Sequence, residues 1–391
     1  MKYYLSMSMG YTLRKSLTSL DWPILADPLD RASRALTRAD ERLVRTPHLE
    51  DGVRSRSHLF DTCASMALDG DLVHLEDLVL HDAGTDKRAP THELTRAASL
   101  LALRRRSDRL APEALLSRNG LLALIGRQPD EAEPGWMTDR TAGEGRSLSQ
   151  SNLSRQDIAE TEVTLLAEID VVLERSRHLA EGTLPPLGAS MPRTAVTRHG
   201  HDPEASDRAD RLDDWLSVLN EAAALNLPPV LTAAIVLDAW HMLQPLDSWP
   251  ELGRLLSAIY LKTRVTTCHL PNLSSGLRKS PFRWRRKDPF QTRIAGFLSG
   301  FERAAQETMD QMDRLSIAQE QLERHCRGRR SHSRLPEFAQ MFLSRPLVTI
   351  PMARQDLGVT AAAVDRMIRQ LGPALPRELT GRDRYRAWGI L

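Results

Sequence analysis

The sequence predicts a mainly α-helical protein that ends in a small winged helix-turn-helix unit. Three observations support this fold class. Apolar residues recur at helical spacing along most of the 391-residue chain, and strand-like patterns are confined to its last residues. Two polar tracts, 127–157 and 185–210, read as loops between the helical stretches. A content of 41% hydrophobic and 27% charged residues is typical of a globular protein, and the length allows two or three domains.

The N-terminal part, 1–127, is predicted to be a helical domain. A first amphipathic helix should begin at the Asp27–Pro28 pair, and residues 111–127 read as two short helices broken at Gly120. Helical periodicity is also clear over 55–68 and 92–110.

A linker is predicted over 128–157, followed by a helical core domain over 158–325. Its first helix should span 158–182. Two later helices, on either side of residues 241–254, are apolar enough to be buried nearly all round.

Composition excludes some function classes. No apolar run approaches the about 20 residues of a membrane helix, and no signal peptide is evident, so we expect a cytoplasmic protein without a membrane partner. Three widely spaced cysteines, Cys63, Cys268 and Cys326, indicate neither a disulfide framework nor a metal site.

Positive charge is concentrated in two segments. Residues 275–293 hold seven basic residues and one acidic residue, and residues 326–391 hold twelve arginines and five acidic residues. This asymmetry favours a polyanionic partner. In the first segment Phe282, Trp284 and Phe290 alternate with cations, which fits either a nucleic-acid surface or a loop anchored on the helical core.

Residues 241–254, HMLQPLDSWPELGR, lie between the two apolar helices and carry His241, Asp247 and Arg254. This region resembles the core of Fic proteins, in which the motif H-x-F-x-D-G-N-G-R-x-G-R joins two buried helices. The resemblance implies that His241 would act as general base toward a protein hydroxyl. It also implies that Asp247 would hold Mg²⁺ on ATP and that Arg254 would bind a phosphate.

The motif departs from the family where phosphates would bind. Pro250, in place of a glycine, has no N–H to donate, and Glu251, in place of an arginine, would repel a phosphate. We therefore predict a catalytically degenerate Fic-like body that requires no cofactor, with ATP and Mg²⁺ relevant only if the site is active. Two alternatives are a divergent AMP-transferase and a helical protein-interaction module, in which His241 is a core histidine.

A second resemblance to Fic proteins lies upstream, in the sequence ASMALDG. Ser65, Asp69 and Gly70 match the Ser-x-x-x-Glu-Gly motif of the family's inhibitory helix, with aspartate in place of glutamate. The resemblance implies that Asp69 would pair with Arg254.

Residues 330–391 are predicted to form the winged helix-turn-helix. Its three helices should span about 335–344, 350–357 and 360–370. Gly358 suits the turn, and Thr360 suits the cap of the third, recognition helix. Arg354 stands four residues before the turn glycine, where a small residue is usual.

The expected partner is double-stranded DNA, and a homodimer would suit a palindromic site. The third helix should contact DNA through Thr360, Ala361, Ala362, Asp365, Arg366 and Arg369, and the wing through Arg382, Arg384 and Arg386. Fic proteins are often followed by such a unit. The layout also resembles uncharacterised helix-turn-helix proteins of rhizobial replicons, including plasmids. The leading hypothesis is therefore a DNA-binding transcriptional regulator.

Overall fold

The computed structural model describes residues 11–85, 89–125, 203–246, 249–262, 264–327, 333–381 and 386–391. The predicted linker, 128–157, and the predicted helix, 158–182, lie outside these residues. The described chain is largely helical, with three short strands near the C-terminus, so the mainly α fold class is confirmed.

Seven helices lie in the described residues up to 125. They are α1 (Leu13–Thr18), α2 (Trp22–Arg45), α3 (Pro47–Leu68), α4 (Leu75–Asp82), α5 (His92–Arg109), α6 (Pro112–Leu115) and α7 (Arg118–Ile125).

Two predicted boundaries in this part are wrong. Helix α2 begins at Trp22 rather than Asp27, and Pro28 lies in its second turn, where it removes only the backbone bond to Ile24. Gly120 does not break a helix but lies inside α7. A Cβ there would come within 1.9 Å of the Ala114 carbonyl oxygen, so the glycine permits the close approach of α6.

Five further helices form the central part. They are α8 (Pro203–Ala224), α9 (Pro229–Leu243), α10 (Leu252–Leu261), α11 (Leu273–Lys279) and α12 (Phe290–Cys326). Helix α8 begins inside the tract 185–210, so the loop prediction is wrong for its last residues. The near-complete burial predicted for α9 and α10 is confirmed, because every residue of α10 and every residue of α9 from Val230 to Trp240 is buried.

Helix α12, with 37 residues, packs against most of the other long helices. It runs parallel to α2, to which it is joined by the ion pairs Arg31–Glu302 and Arg42–Asp313. Buried side chains from 13–124 and from 212–305 belong to one hydrophobic cluster. The predicted units 1–127 and 158–325 therefore share a core in the residues described.

The C-terminal unit begins with α13 (Leu335–Ser344), β1 (Val348–Thr349), α14 (Ile350–Leu357) and α15 (Ala361–Leu371). A 3-10 turn (Gly372–Ala374) and strands β2 (Arg377–Glu378) and β3 (Ala387–Gly389) complete it. The strands form an antiparallel sheet in the order β1-β3-β2, with Trp388 opposite both Val348 and Glu378. Helices α14 and α15 form the helix-turn-helix of this unit, and strands β2 and β3 form the hairpin beside it.

Candidate nucleic-acid interface and the 241–254 region

The turn between α14 and α15 has the geometry that a helix-turn-helix needs. Gly358 ends α14 with φ +63°, a left-handed conformation that glycine adopts without strain. The Thr360 hydroxyl accepts a hydrogen bond from the Ala363 amide at 3.3 Å and so caps α15. Ala353, fully buried, is the small residue at the contact between the helices, while Arg354 points to solvent. The packing position is therefore one residue earlier than the sequence suggested.

Helix α15 has one buried and one exposed face. Its buried side chains pack into the C-terminal core, and they are Val364, Met367, Ile368 and Leu371. Thr360, Ala362, Arg366 and Arg369 are exposed, and Ala361 and Asp365 are half-buried. All six residues expected to contact DNA from this helix therefore retain access to solvent.

The hairpin of the predicted wing is only partly described. Gly381, with φ +58°, follows β2, and the expected contact residues Arg382 and Arg384 lie outside the described residues. Arg386 is half-buried, and its guanidinium carbon lies 5.2 Å from the centre of the Trp388 ring. This contact orients Arg386 beside the sheet.

The C-terminal unit is docked on helix α3 through a buried arginine that the sequence analysis missed. Arg56 is 2% exposed and donates five hydrogen bonds, all to backbone carbonyls and none to a carboxylate. The acceptors are the carbonyl oxygens of Gly52, Phe342, Leu343, Arg345 and Ile390, at 2.6–2.9 Å. Burial lowers the pKa of Arg56 to about 9, which leaves the guanidinium protonated at neutral pH.

These bonds complete the C-terminus of α13. The last four carbonyls of a helix lack partners within it. Here Met341 accepts from the Arg345 amide, and Arg56 supplies donors to the next two carbonyls. The hydroxyl of Ser55 reaches the Ser344 carbonyl at 3.4 Å. A residue pair on α3 thus caps a helix almost 300 positions later, and its positive charge lies at the negative end of that helix.

The close approach of α3 to α13 also requires Gly52, because a Cβ at this position would lie 2.0 Å from the Leu343 carbonyl oxygen. Around it, Leu347, Met352 and Ala387 of the C-terminal unit share a hydrophobic cluster with helices α3, α4 and α5. Docking therefore rests on apolar burial as well as on Arg56.

In the 241–254 region, His241 is sandwiched between two aromatic rings. Its ring centre lies 5.0 Å from that of Trp284 and 5.9 Å from that of Phe297, in stacked geometry. Burial lowers the pKa of His241 to about 3, and the nearby Arg254 contributes to the lowering. The imidazole is therefore neutral at physiological pH, and it lies half-buried between the two aromatic rings. The expected metal-binding residue, Asp247, lies outside the described residues.

Arg254 lies next to the upstream segment that contains Ser65 and Asp69. Arg254 is buried, donates to the Ser65 hydroxyl at 2.9 Å and to the Ser65 carbonyl at 3.1 Å, and forms an ion pair with Asp69. Gly70 follows the end of α3 with φ +98° and does not take part in these contacts. The structure thus brings Ser65, Asp69 and Arg254 into one cluster.

Glu251 is also buried, with one carboxylate oxygen bonded to Arg96 at 3.2 Å and the other without a partner in the described structure. Burial raises the pKa of Glu251. The adjoining cavity, lined by Ser65, Arg104 and Glu251 among others, measures about 10 Å³. Such a volume admits one water molecule, whereas ligand pockets measure about 300–1,000 Å³.

Comparisons with known proteins support this architecture. A family profile described as "Protein of unknown function (DUF1612)" matches residues 201–327, and one described as "HTH DNA binding domain" matches residues 335–391. The chain is also 37% identical to "Uncharacterized protein y4cF" of Sinorhizobium fredii, over 98% of this chain and 100% of that protein. The chain belongs to the y4cF family.

The expected C-terminal helix-turn-helix and the expected likeness to a rhizobial protein are confirmed by these matches. The likeness to Fic proteins stays a prediction. Among the described residues, no group of three or more His, Cys, Asp or Glu side chains could hold a metal ion. None of the described helices is long and apolar enough to cross a membrane.

A second feature missed in the sequence is Asp238, which is fully buried in α9. Its carboxylate accepts hydrogen bonds from Arg293 at 2.7 and 2.9 Å, from the Trp284 indole at 2.8 Å and from the Tyr11 hydroxyl at 3.1 Å. The signal was present, because Asp238 is a lone acidic residue in an apolar helix, and a buried charge requires partners. Its partners could not be identified from spacing alone.

Proposed function

We propose that this y4cF-family protein binds double-stranded DNA through α15 and acts as a transcriptional regulator. The observation that carries the proposal is the exposed face of α15, where Arg366 and Arg369 stand beside the short side chains of Thr360 and Ala362. A helix with long donors and small neighbours on one face fits the major groove, where arginine reads the edge of guanine. The match of residues 335–391 to a DNA-binding domain supports this assignment.

The partly exposed Arg386 and the wing positions Arg382 and Arg384 would contact the phosphate backbone. Backbone contacts of this kind position the protein on DNA, while contacts from α15 select the sequence. A protein that regulates transcription in this way would act in the cytoplasm. Two copies bound through α15 would select a site with two-fold symmetry.

The test is selection of binding sites from a random duplex library by the full-length chain. Wild type should enrich a defined sequence, and Arg366→Gln/Arg369→Gln should lose that enrichment. Arg38→Gln/Arg109→Gln removes the same charge from two exposed arginines on α2 and α5, which have no carboxylate partner in the described structure, and should select the wild-type sequence. Unchanged selection by the α15 variant would refute the proposal, and a palindromic site would support a homodimer.

For the body, we propose a Fic-like order of elements without AMP-transfer activity. Support comes from the burial of Arg254 against Ser65 and Asp69, and from the cavity beside Glu251, which has the size of one water molecule. Pro250 and Glu251 also oppose phosphate binding. Titration calorimetry of the full-length chain with ATP and Mg²⁺ should show no binding heat, and nucleotide binding abolished by Arg254→Ala would contradict this proposal.

A further inference from the structure

The last turn of α11 and the segment between α11 and α12 carry an exposed group of cations. This group, the basic platform, consists of Arg278, Arg283, Arg285, Arg286 and Lys287. None of these has a carboxylate oxygen within 4.0 Å among the described residues, whereas the adjacent Lys279 is paired with Glu307. The one acidic residue of the loop, Asp288, is half-buried. The platform is therefore a concentration of positive charge without internal compensation.

The backbone beneath these cations is held in place. The Trp284 indole donates to buried Asp238 and stacks on His241, and the ring of Phe282 packs edge-on against Phe297 at 5.5 Å. Arg286 donates to the carbonyl of Met242 at 2.5 Å. A fixed loop presents its charges without losing conformational freedom on binding, which favours recognition of a regular array of anions.

The direction of the aromatic rings identifies the class of polyanion. Single-stranded nucleic acids are bound largely by stacking of bases on exposed aromatic side chains. Here Phe282 and Trp284 pack against the hydrophobic core and the charges face outward, so the platform offers charge without stacking. That chemistry suits the phosphates of a duplex, whose bases are already stacked.

We infer that the basic platform is a second, sequence-independent binding surface for the phosphate backbone of double-stranded DNA. The choice of DNA rests on the proposed function of α15. The platform lies at the N-terminal end of the 37-residue α12, while Leu322 near the other end packs in the core of the C-terminal unit. A helix of this length spans about 55 Å, so the platform is a contact separate from the helix-turn-helix.

The test compares full-length variants on a 40-bp duplex of arbitrary sequence, with binding followed by fluorescence anisotropy between 50 and 200 mM salt. Arg285→Gln/Lys287→Gln removes two exposed charges whose side chains make no hydrogen bond to any of the described residues. Because each phosphate contact contributes about 0.9 to the slope of log K against log salt, we expect the slope to become shallower by about 1.8. The charge-matched control, Arg38→Gln/Arg109→Gln, should keep the wild-type slope.

The outcomes separate this inference from the proposed function. If the platform variant keeps the slope of the control, or loses affinity only for a 40-nucleotide single strand, the inference fails while the role of α15 stands. If the platform variant loses duplex affinity and Arg366→Gln/Arg369→Gln keeps both affinity and site selection, the role of α15 fails and the platform stands. Absence of duplex binding by wild type would overturn both.

Discussion

Replacement of Arg56 by methionine should undock the C-terminal unit from the body. Methionine keeps much of the volume of the side chain but has no donor. Four carbonyls outside α3 would then lose this donor, two of them buried (Phe342 and Leu343) and two partly buried (Arg345 and Ile390). Each buried carbonyl left without a donor costs about 1–3 kcal/mol.

Two effects reduce the sum of these terms. Water can reach part of the site as the C-terminal unit moves, and removal of the guanidinium also removes the cost of burying its charge. We therefore expect the free energy of unfolding to fall by about 3–5 kcal/mol, below the roughly 4–12 kcal/mol obtained by summing that cost over four fully buried carbonyls. The stability of Arg56→Lys should lie between that of wild type and that of Arg56→Met, because an ammonium group donates at most three hydrogen bonds from one nitrogen.

The assay is urea unfolding followed by circular dichroism, together with limited proteolysis of the native protein. Undocking should expose the chain near Arg345 to protease below the unfolding transition. Arg38→Met, at an exposed position of α2, is the matched control and should change stability by less than about 0.5 kcal/mol. If Arg56→Met unfolds at the same urea concentration as Arg38→Met and resists protease equally, the role assigned to Arg56 is refuted.

Three further changes test contacts elsewhere in the protein. Since the pKa of His241 is about 3 in the folded protein and about 6.5 when unfolded, its contribution to stability is complete above pH 6.5 and declines as pH falls toward 3. His241→Phe removes the titrating group, so the free energy of unfolding of the variant should decline by up to about 1.4 kcal/mol less per pH unit in this range. The measurement is thermal unfolding at several pH values, and the same pH dependence for both proteins would disprove the role of His241. Asp238→Asn leaves Arg293 buried without its counter-ion and should cost about 3–5 kcal/mol in urea unfolding, so a cost below about 1 kcal/mol would contradict the assigned contacts. Thr360→Ala should weaken the start of α15 by about 1 kcal/mol, seen as faster amide hydrogen exchange at Ala363, and unchanged exchange would argue against the cap.

Structural features that depend only on neighbouring residues could be predicted from the sequence. The cap at Thr360, the left-handed turn at Gly358 and the amphipathic pattern of α15 depend on contacts no more than about four positions apart. The burial of α9 and α10 followed from composition, because helices that are apolar on all sides are stable only in the interior.

Predictions that treated a local signal as decisive were the ones that failed. Proline at position 28 suggested a helix start, but the helix begins at Trp22 and tolerates the proline near its first turns. Gly120 suggested a break, yet it serves the approach of α6 to α7. In both places packing outweighed the intrinsic preference of the residue.

The features of the candidate site also fall into those that the sequence predicted and those that required the tertiary structure. The amino-acid sequence by itself determined which helix presents Arg366 and Arg369, because the apolar face of α15 assigns the opposite face to solvent. Only the tertiary structure decided that Arg56 caps a helix almost 300 residues away and that Trp284, beside the basic platform, turns inward to donate to Asp238. A buried polar group needs hydrogen-bond partners, and the fold can bring these from distant parts of the chain. The spacing of residues along the sequence does not show which of them will be brought together.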